Sequence, residues 1–152
     1  MKKSTHFPRT PAPPHKCELC MRIGGSLLWR DGSCRVVLVS DPDYAGYCRI
    51  IWHSHIREMT DLPAAQRAHC MRVVFAVEYA LRNALAPDKI NLASFGNMAP
   101  HLHWHVIPRF TRDAHFPNPI WGKRRRLKTA VAMPRTRAAL RAMLARELER
   151  LL

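Results

Sequence analysis

At 152 residues, 47% of them hydrophobic, with a formal charge of +14, the chain is long enough for one domain with a real core and too apolar to be disordered throughout. The charge excludes less than its size implies, because it sits at the ends. Residues 1–16 carry four Lys or Arg and no acid, residues 123–152 carry ten against two acids, and residues 17–122 carry 11 against nine, a net of +2.

Residues 1–16, basic and rich in proline, read as a flexible leader without a core of its own. Prolines stand where a secretory signal would need its apolar run, and no window approaches the roughly 18 apolar residues of a membrane span. The expected compartment is the cytoplasm, with five reduced cysteines. "SLLWR" and "CRVVLVS" flank an Asp-Gly pair and read as a hairpin. "DPDYAG" is a loop, and "YCRIIWH" a third strand.

From Thr60 the pattern turns helical. Thr60 or Asp61 can cap, Pro63 suits a first turn, and Leu62, Cys70, Val73, Val74, Val77, Ala80, Leu81 and Leu85 recur at helical spacing as far as "APD". "KINLASF" gives a fourth strand, and "HLHWHVIP" a fifth stopped by Pro108. "RAALRAMLARELERLL" is a second helix. The expected fold class is α+β: a mostly antiparallel five-stranded sheet with one long helix and a C-terminal helix. Its body spans residues 17–122, and a basic segment with a helix follows over 123–152. The run "KRRRLK" at 123–128 reads as a solvated surface or as a weak contact for nucleic acid.

In an extended strand, residues i, i+2 and i+4 share a face, so His101, His103 and His105 line one side at roughly 7 Å spacing. Leu102, Trp104 and Val106 take the other. A neutral imidazole offers one donor and one acceptor and titrates near neutrality, so a row of them can grip a phosphate. The middle ring can attack phosphorus while its neighbours stabilise the developing charge. The same row can instead ligate a metal. Cys17 and Cys20, in "CELC", have the spacing of a zinc knuckle, of a redox pair, or of two unconnected thiols.

"HLHWHVI" matches all seven positions of the His-φ-His-φ-His-φ-φ signature of the histidine triad (HIT) superfamily of nucleotide hydrolases and transferases. The chain resembles that family over roughly residues 17–110, with "CELC", "HIREMTDL", the long helix and the following strand in the bacterial order. The resemblance implies that His103 is the nucleophile on the α-phosphate of a nucleotide. A nucleotidyl-enzyme then forms and water hydrolyses it. His105 would orient the phosphate. His101 would join the phosphate network or, in zinc-containing members, ligate a structural zinc with Cys17, Cys20 and His55, although His53 is a near neighbour.

The same resemblance makes Asp41 a ribose contact and Asn91 and Asn97 phosphate contacts. For each, turn chemistry or sheet-edge solvation is the competing reading. Trp121 reads as a base-stacking residue or as packing. The chain departs from many members at Met98, where a Ser or Thr serves the leaving group. The resemblance implies a hydrolase of a nucleotide phosphoanhydride, such as a dinucleoside polyphosphate, or of a phosphoramidate or other adduct; Met98 leaves the leaving-group acid unassigned, so phosphoramidate cleavage is less supported than hydrolase activity in general. A homodimer is implied. Two rivals stand beside this reading: a zinc-stabilised nucleic-acid-binding module using its basic tails, and an enzyme with a catalytic metal on the triad itself.

Overall fold

The computed structural model describes residues 17–127 and 137–152. The leader expected over 1–16, and the part of the basic segment at 128–136, lie outside the described residues. Strands β1 (Ser26–Arg30), β2 (Cys34–Leu38), β3 (Cys48–Trp52), β4 (Lys89–Ala93) and β5 (His103–Arg109) form one antiparallel sheet in the order β1-β2-β3-β5-β4. Helices α1 (Glu18–Met21), α2 (Ala64–Leu85) and α3 (Arg137–Leu151) complete an α+β fold.

The first hairpin turns where the Asp-Gly pair requires it. Asp31 Oδ1 accepts the backbone N–H groups of Ser33 and Cys34 at 2.7 and 2.8 Å. Its other oxygen bonds His69 Nε2 on α2 at 2.6 Å, which ties the turn to the long helix. The apolar stripe of α2, Cys70, Val73, Val74, Val77, Ala80 and Leu81, is buried on one face of the sheet. It meets Val36, Ile50, Leu102 and Val106 there. Leu140, Leu144 and Leu148 of α3 enter the same core, each 1% exposed. The basic C-terminal segment therefore carries a stripe that the main core needs.

Three local features differ from the sequence expectation. Asp61 caps not the long helix but a short 3₁₀ turn, Met59–Asp61, where its carboxylate accepts the Glu58 N–H at 3.2 Å. Pro63 then precedes the first helical residue, where its fixed φ is suited and its missing N–H is not needed. Pro108 does not stop the fifth strand, which runs through it to Arg109. Leu102 O accepts from Trp52 N–H, so by alternation Pro108 turns its donor-less nitrogen to the β3 side, and β3 has already ended at Cys48 opposite Val106. Finally, β5 begins at His103, so His101 lies just before the strand rather than within it.

Gly46 fills a position where only glycine fits. Its φ is +80°, and a Cβ there would meet Leu85 Cδ1 of α2 at 2.6 Å. The turn before β3 thus packs directly on the long helix.

Candidate active site and metal cluster

The sheet face opposite α2 carries the imidazoles. Register places Ile51 of β3 beside His103, and Arg49 beside His105 with Ala93 of β4 on its other flank. The rings of His103 and His105 are 4.7 Å apart, edge to face. All three triad histidines are buried.

Hydrogen bonds assign each ring a different duty, because a carbonyl can only accept. His103 Nδ1 lies 2.6 Å from the His101 carbonyl oxygen, so Nδ1 carries the hydrogen and Nε2 keeps its lone pair. His101 Nε2 donates to the Trp52 carbonyl at 2.7 Å, which leaves Nδ1 as its lone pair. His105 Nδ1 is 2.6 Å from Tyr47 Oη, and Arg49 Nε–H donates to that hydroxyl at 3.4 Å. The Tyr47 hydrogen therefore turns to His105 Nδ1, and the neutral ring presents Nε2–H as a donor.

Burial, outweighing the backbone bond to His101, lowers the His103 pKa, with the Arg49 charge adding to it. His105 falls to about 3, through burial first and then the charges of His103 and Arg49. Burial thus favours the neutral form of both rings, one with a bare Nε2 lone pair and the other with Nε2–H as a hydrogen-bond donor.

Cys17, Cys20, His55 and His101 converge beside this row, their ligand atoms all within 4.8 Å of one another. His101 Nδ1 is 3.5 Å from Cys17 Sγ and 3.3 Å from Cys20 Sγ, and His55 Nδ1 is 3.3 Å from Cys20 Sγ. Tetrahedral zinc with its usual bond lengths would hold sulfur and nitrogen about 3.5 Å apart. A single thiol hydrogen cannot serve two imidazoles, as Cys20 would have to, whereas a shared cation can. The residues present fit a Cys₂His₂ metal site. His53 is exposed and outside the cluster. Arg35 donates to the carbonyls of Leu19, Arg22 and Ile23 and clamps the knuckle onto β2.

A second grouping, Asp31, Cys34 and His69, is spent internally. Both Asp31 oxygens are engaged as above, and His69 Nδ1 accepts from Arg72 at 2.6 Å.

The remaining expected residues have other partners or lie at the rim of the row. Asp41 closes the turn after β2 by accepting the Asp43 N–H at 2.9 Å. Asn91 lies on the imidazole face, but its side-chain oxygen accepts from Arg109 at 2.6 Å. Asn97 and Met98 are exposed in the loop before His101, Met98 fully so. Trp121 rests edge-on against His105 at 5.0 Å and against Phe95 at 4.7 Å, about half exposed.

Sequence reasoning missed Tyr47, Arg49, Ser94 and Phe95. Ser94 donates to the His103 carbonyl at 2.8 Å. Strand alternation in "YCRIIWH" puts Tyr47, Arg49 and Ile51 on one face, but only the pairing with β5 shows which face that is. Below the row, Arg109 and Asp113 form a buried bidentate pair at 2.7 and 3.0 Å, extended by Asn91 and the Asn118 carbonyl.

A family model described as "HIT domain" matches residues 22–112. Among curated proteins, an "AP-4-A phosphorylase" of Mycobacterium tuberculosis is 27% identical over 89 residues, covering 55% of this chain and 46% of that protein. The chain thus spans less than half the length of that relative. Among solved structures, a histidine triad protein from Marinobacter aquaeolei VT8 aligns with TM-score 0.71 and 29% identity, over 86% of this chain and 93% of the other. A Zn-bound histidine triad family protein from Mycobacterium smegmatis aligns with TM-score 0.61 and 22% identity, over 90% and 95%.

The Arg109–Asp113 pair generates a pH-dependent expectation. Burial alone would raise the Asp113 carboxyl, but hydrogen bonds from Arg109 and the N–H groups of His115 and Phe116 hold it below its ordinary value. A carboxyl depressed on folding stabilises above the ordinary carboxylate range, and that contribution disappears as pH falls through its folded value. Asp113→Asn should cost about 3–5 kcal/mol at neutral pH by leaving Arg109 unpaired. In urea unfolding the gap from wild type should narrow as the pH is lowered; a gap independent of pH would contradict the assignment.

Proposed function

The chain belongs to the HIT domain family, and from that premise we propose that it is a nucleotide hydrolase or nucleotidyl transferase acting at the α-phosphate of a phosphoanhydride such as a dinucleoside polyphosphate. The observation that carries this reading is the His103 ring, whose Nδ1–H is held by the His101 carbonyl at 2.6 Å while Nε2 stays unprotonated. Its Nε2 lone pair forms the N–P bond as the bridging P–O bond breaks, and the electron pair leaves on the departing oxygen. The carbonyl of His101 stabilises the charge that appears on the ring. His105 Nε2–H donates to a non-bridging oxygen. Water then attacks phosphorus, releases the nucleotide and returns His103 to its starting form. The similarity to a protein named for AP-4-A supports the substrate class.

We read the Cys17, Cys20, His55 and His101 cluster as a structural zinc site, in line with the Zn-bound relative. A closed four-ligand metal supplies stability and no open position for substrate. Here it would fasten α1 to the start of β5. The free thiols required agree with the cytoplasm as the compartment, and among the described residues no helix is long and apolar enough to cross a membrane. The nucleic-acid reading finds less support, because Arg124 pairs with Asp43 at 2.6 Å and Arg126 donates to the carbonyls of Asp113 and Phe116.

We further read the protein as a homodimer formed across β4 and α2. Strand β4 is a sheet edge, and Leu92 on it, with Phe75 and Tyr79 on α2, is exposed. Light scattering should return twice the chain mass, and a monomer at micromolar concentration would exclude this face as an interface.

With a dinucleoside polyphosphate as substrate, rapid quenching should show wild-type protein heavier by one nucleotide. His103→Ala should show no adduct and at least about 10³-fold lower kcat with folding retained. An adduct surviving in the variant would place the nucleophile elsewhere. Elemental analysis should find one zinc per chain, absent from Cys17→Ser, whose unfolding midpoint should fall by roughly 10 °C, as expected for about 3 kcal/mol lost from a chain of this length. Metal-free wild type with an unchanged midpoint would refute the zinc reading.

A further inference from the structure

Arg49 stands among the imidazoles without a counter-ion. It pairs with His105 across β3 and β5, so both side chains emerge on the same face. Its Nε touches Tyr47 Oη at 3.4 Å, and its guanidinium lies 5.5 Å from the centre of the Tyr47 ring. Among the described residues no carboxylate pairs with it. Arg109 and Arg35, by contrast, have several partners: Arg109 bonds Asp113, Asn91 and the Asn118 carbonyl, and Arg35 three carbonyls. The guanidinium of the partly exposed Arg49 is therefore available to an anion that enters beside the imidazoles.

Two kinds of leaving group need opposite help at this site. An amine departs with a lone pair that must take up a proton. A phosphate departs as a stable anion and needs positive charge. Among the described residues, the hydroxyls beside the row are engaged: Ser94 Oγ donates to the His103 carbonyl, and Tyr47 Oη bonds His105 Nδ1. His105 is a neutral ring, a hydrogen-bond donor but not an acid. Met98, three residues before His101, offers no hydroxyl and is fully exposed. Arg49 has the remaining capacity, and a guanidinium stabilises charge without surrendering a proton.

Resting on the function proposed above, we infer that Arg49 is a binding and specificity residue that holds the departing phosphate of a phosphoanhydride and makes the site favour a phosphate leaving group over a neutral amine. The His103 Nε2–P bond forms, the bridging P–O bond breaks, and its electron pair stays on the departing phosphate oxygen facing Arg49. No proton moves in that step. The fork of the guanidinium suits two phosphate oxygens at once.

The test compares wild type, Arg49→Met and Arg49→Lys on two substrates that share adenylate and differ in the leaving group, diadenosine triphosphate and adenosine 5′-phosphoramidate. Thermal melts first establish that the variants are folded, and Arg49→Lys, which keeps charge and stem, guards against a purely structural loss. Arg49→Met should lower kcat/KM for the triphosphate by about 10- to 100-fold, the range of one or two charge-assisted hydrogen bonds. Turnover of the phosphoramidate, which feels the lost Arg49–Tyr47 bond but has no phosphate leaving group to hold, should lose at least about threefold less than that of the triphosphate, so the ratio between substrates falls, and Arg49→Lys should lie between. Equal losses on both substrates, or none, would overturn the assignment. Calorimetry with inorganic pyrophosphate decides the binding claim independently of turnover: wild type should bind at least about tenfold more tightly than Arg49→Met. Equal affinity, or no binding by wild type, would overturn it. If wild type turned over neither substrate, the proposed function would fail, and pyrophosphate alone would judge Arg49.

Discussion

A single residue, His101, joins the structural and the chemical halves of this molecule. Its Nε2–H donates to the carbonyl of Trp52 at the end of β3, its Nδ1 faces the sulfur atoms of Cys17 and Cys20, and its own carbonyl accepts the Nδ1–H of His103. The two bonds to carbonyl oxygens are short, buried and directional, so loosening either frees a ring that another depends on. The knuckle, the end of β3 and the His103 ring are therefore positioned together.

The sheet keeps two environments apart. One face is apolar and receives α2 and the three leucines of α3, which gives β5 a rigid back. The other is polar, yet enclosed enough that burial drives the imidazoles to their neutral forms. Neutrality is the useful state here: a protonated ring cannot attack phosphorus, and the rings have carbonyl or hydroxyl partners that choose which nitrogen stays bare. In the proposed mechanism Arg49 brings the positive charge for the phosphate. The proposed division of labour is chemical: lone pair from His103, hydrogen bond from His105, charge from Arg49.

Much of the scaffold was legible because local rules and tertiary demands agree in it. The Asp-Gly hairpin and the 3.6-residue periodicity of α2 each state their own structure, and each formed; the alternation of "HLHWHVI" formed from His103 onward, with His101 just before the strand. The convergence of Cys17, Cys20, His55 and His101 was read through family order rather than spacing, since 84 positions separate Cys17 from His101. Less legible were Pro108, which reads as a strand stop but faces a side where β3 has ended, and the role of Asn91, whose side chain is claimed by Arg109. Neither outcome is written in the neighbouring residues.

By itself the amino-acid order determined the elements, the two-sidedness of the histidine strand and the set of groups able to bind metal or attack phosphate, because periodicity and residue chemistry are local properties. Tertiary structure alone decided which imidazole nitrogen faces a carbonyl or hydroxyl partner, and that Tyr47 and Arg49 stand beside the triad. It also decided that the leucines of a basic tail belong to the core. Those outcomes depend on strand register and on which carbonyl stands opposite which ring, and register is set by the packing of both sheet faces at once.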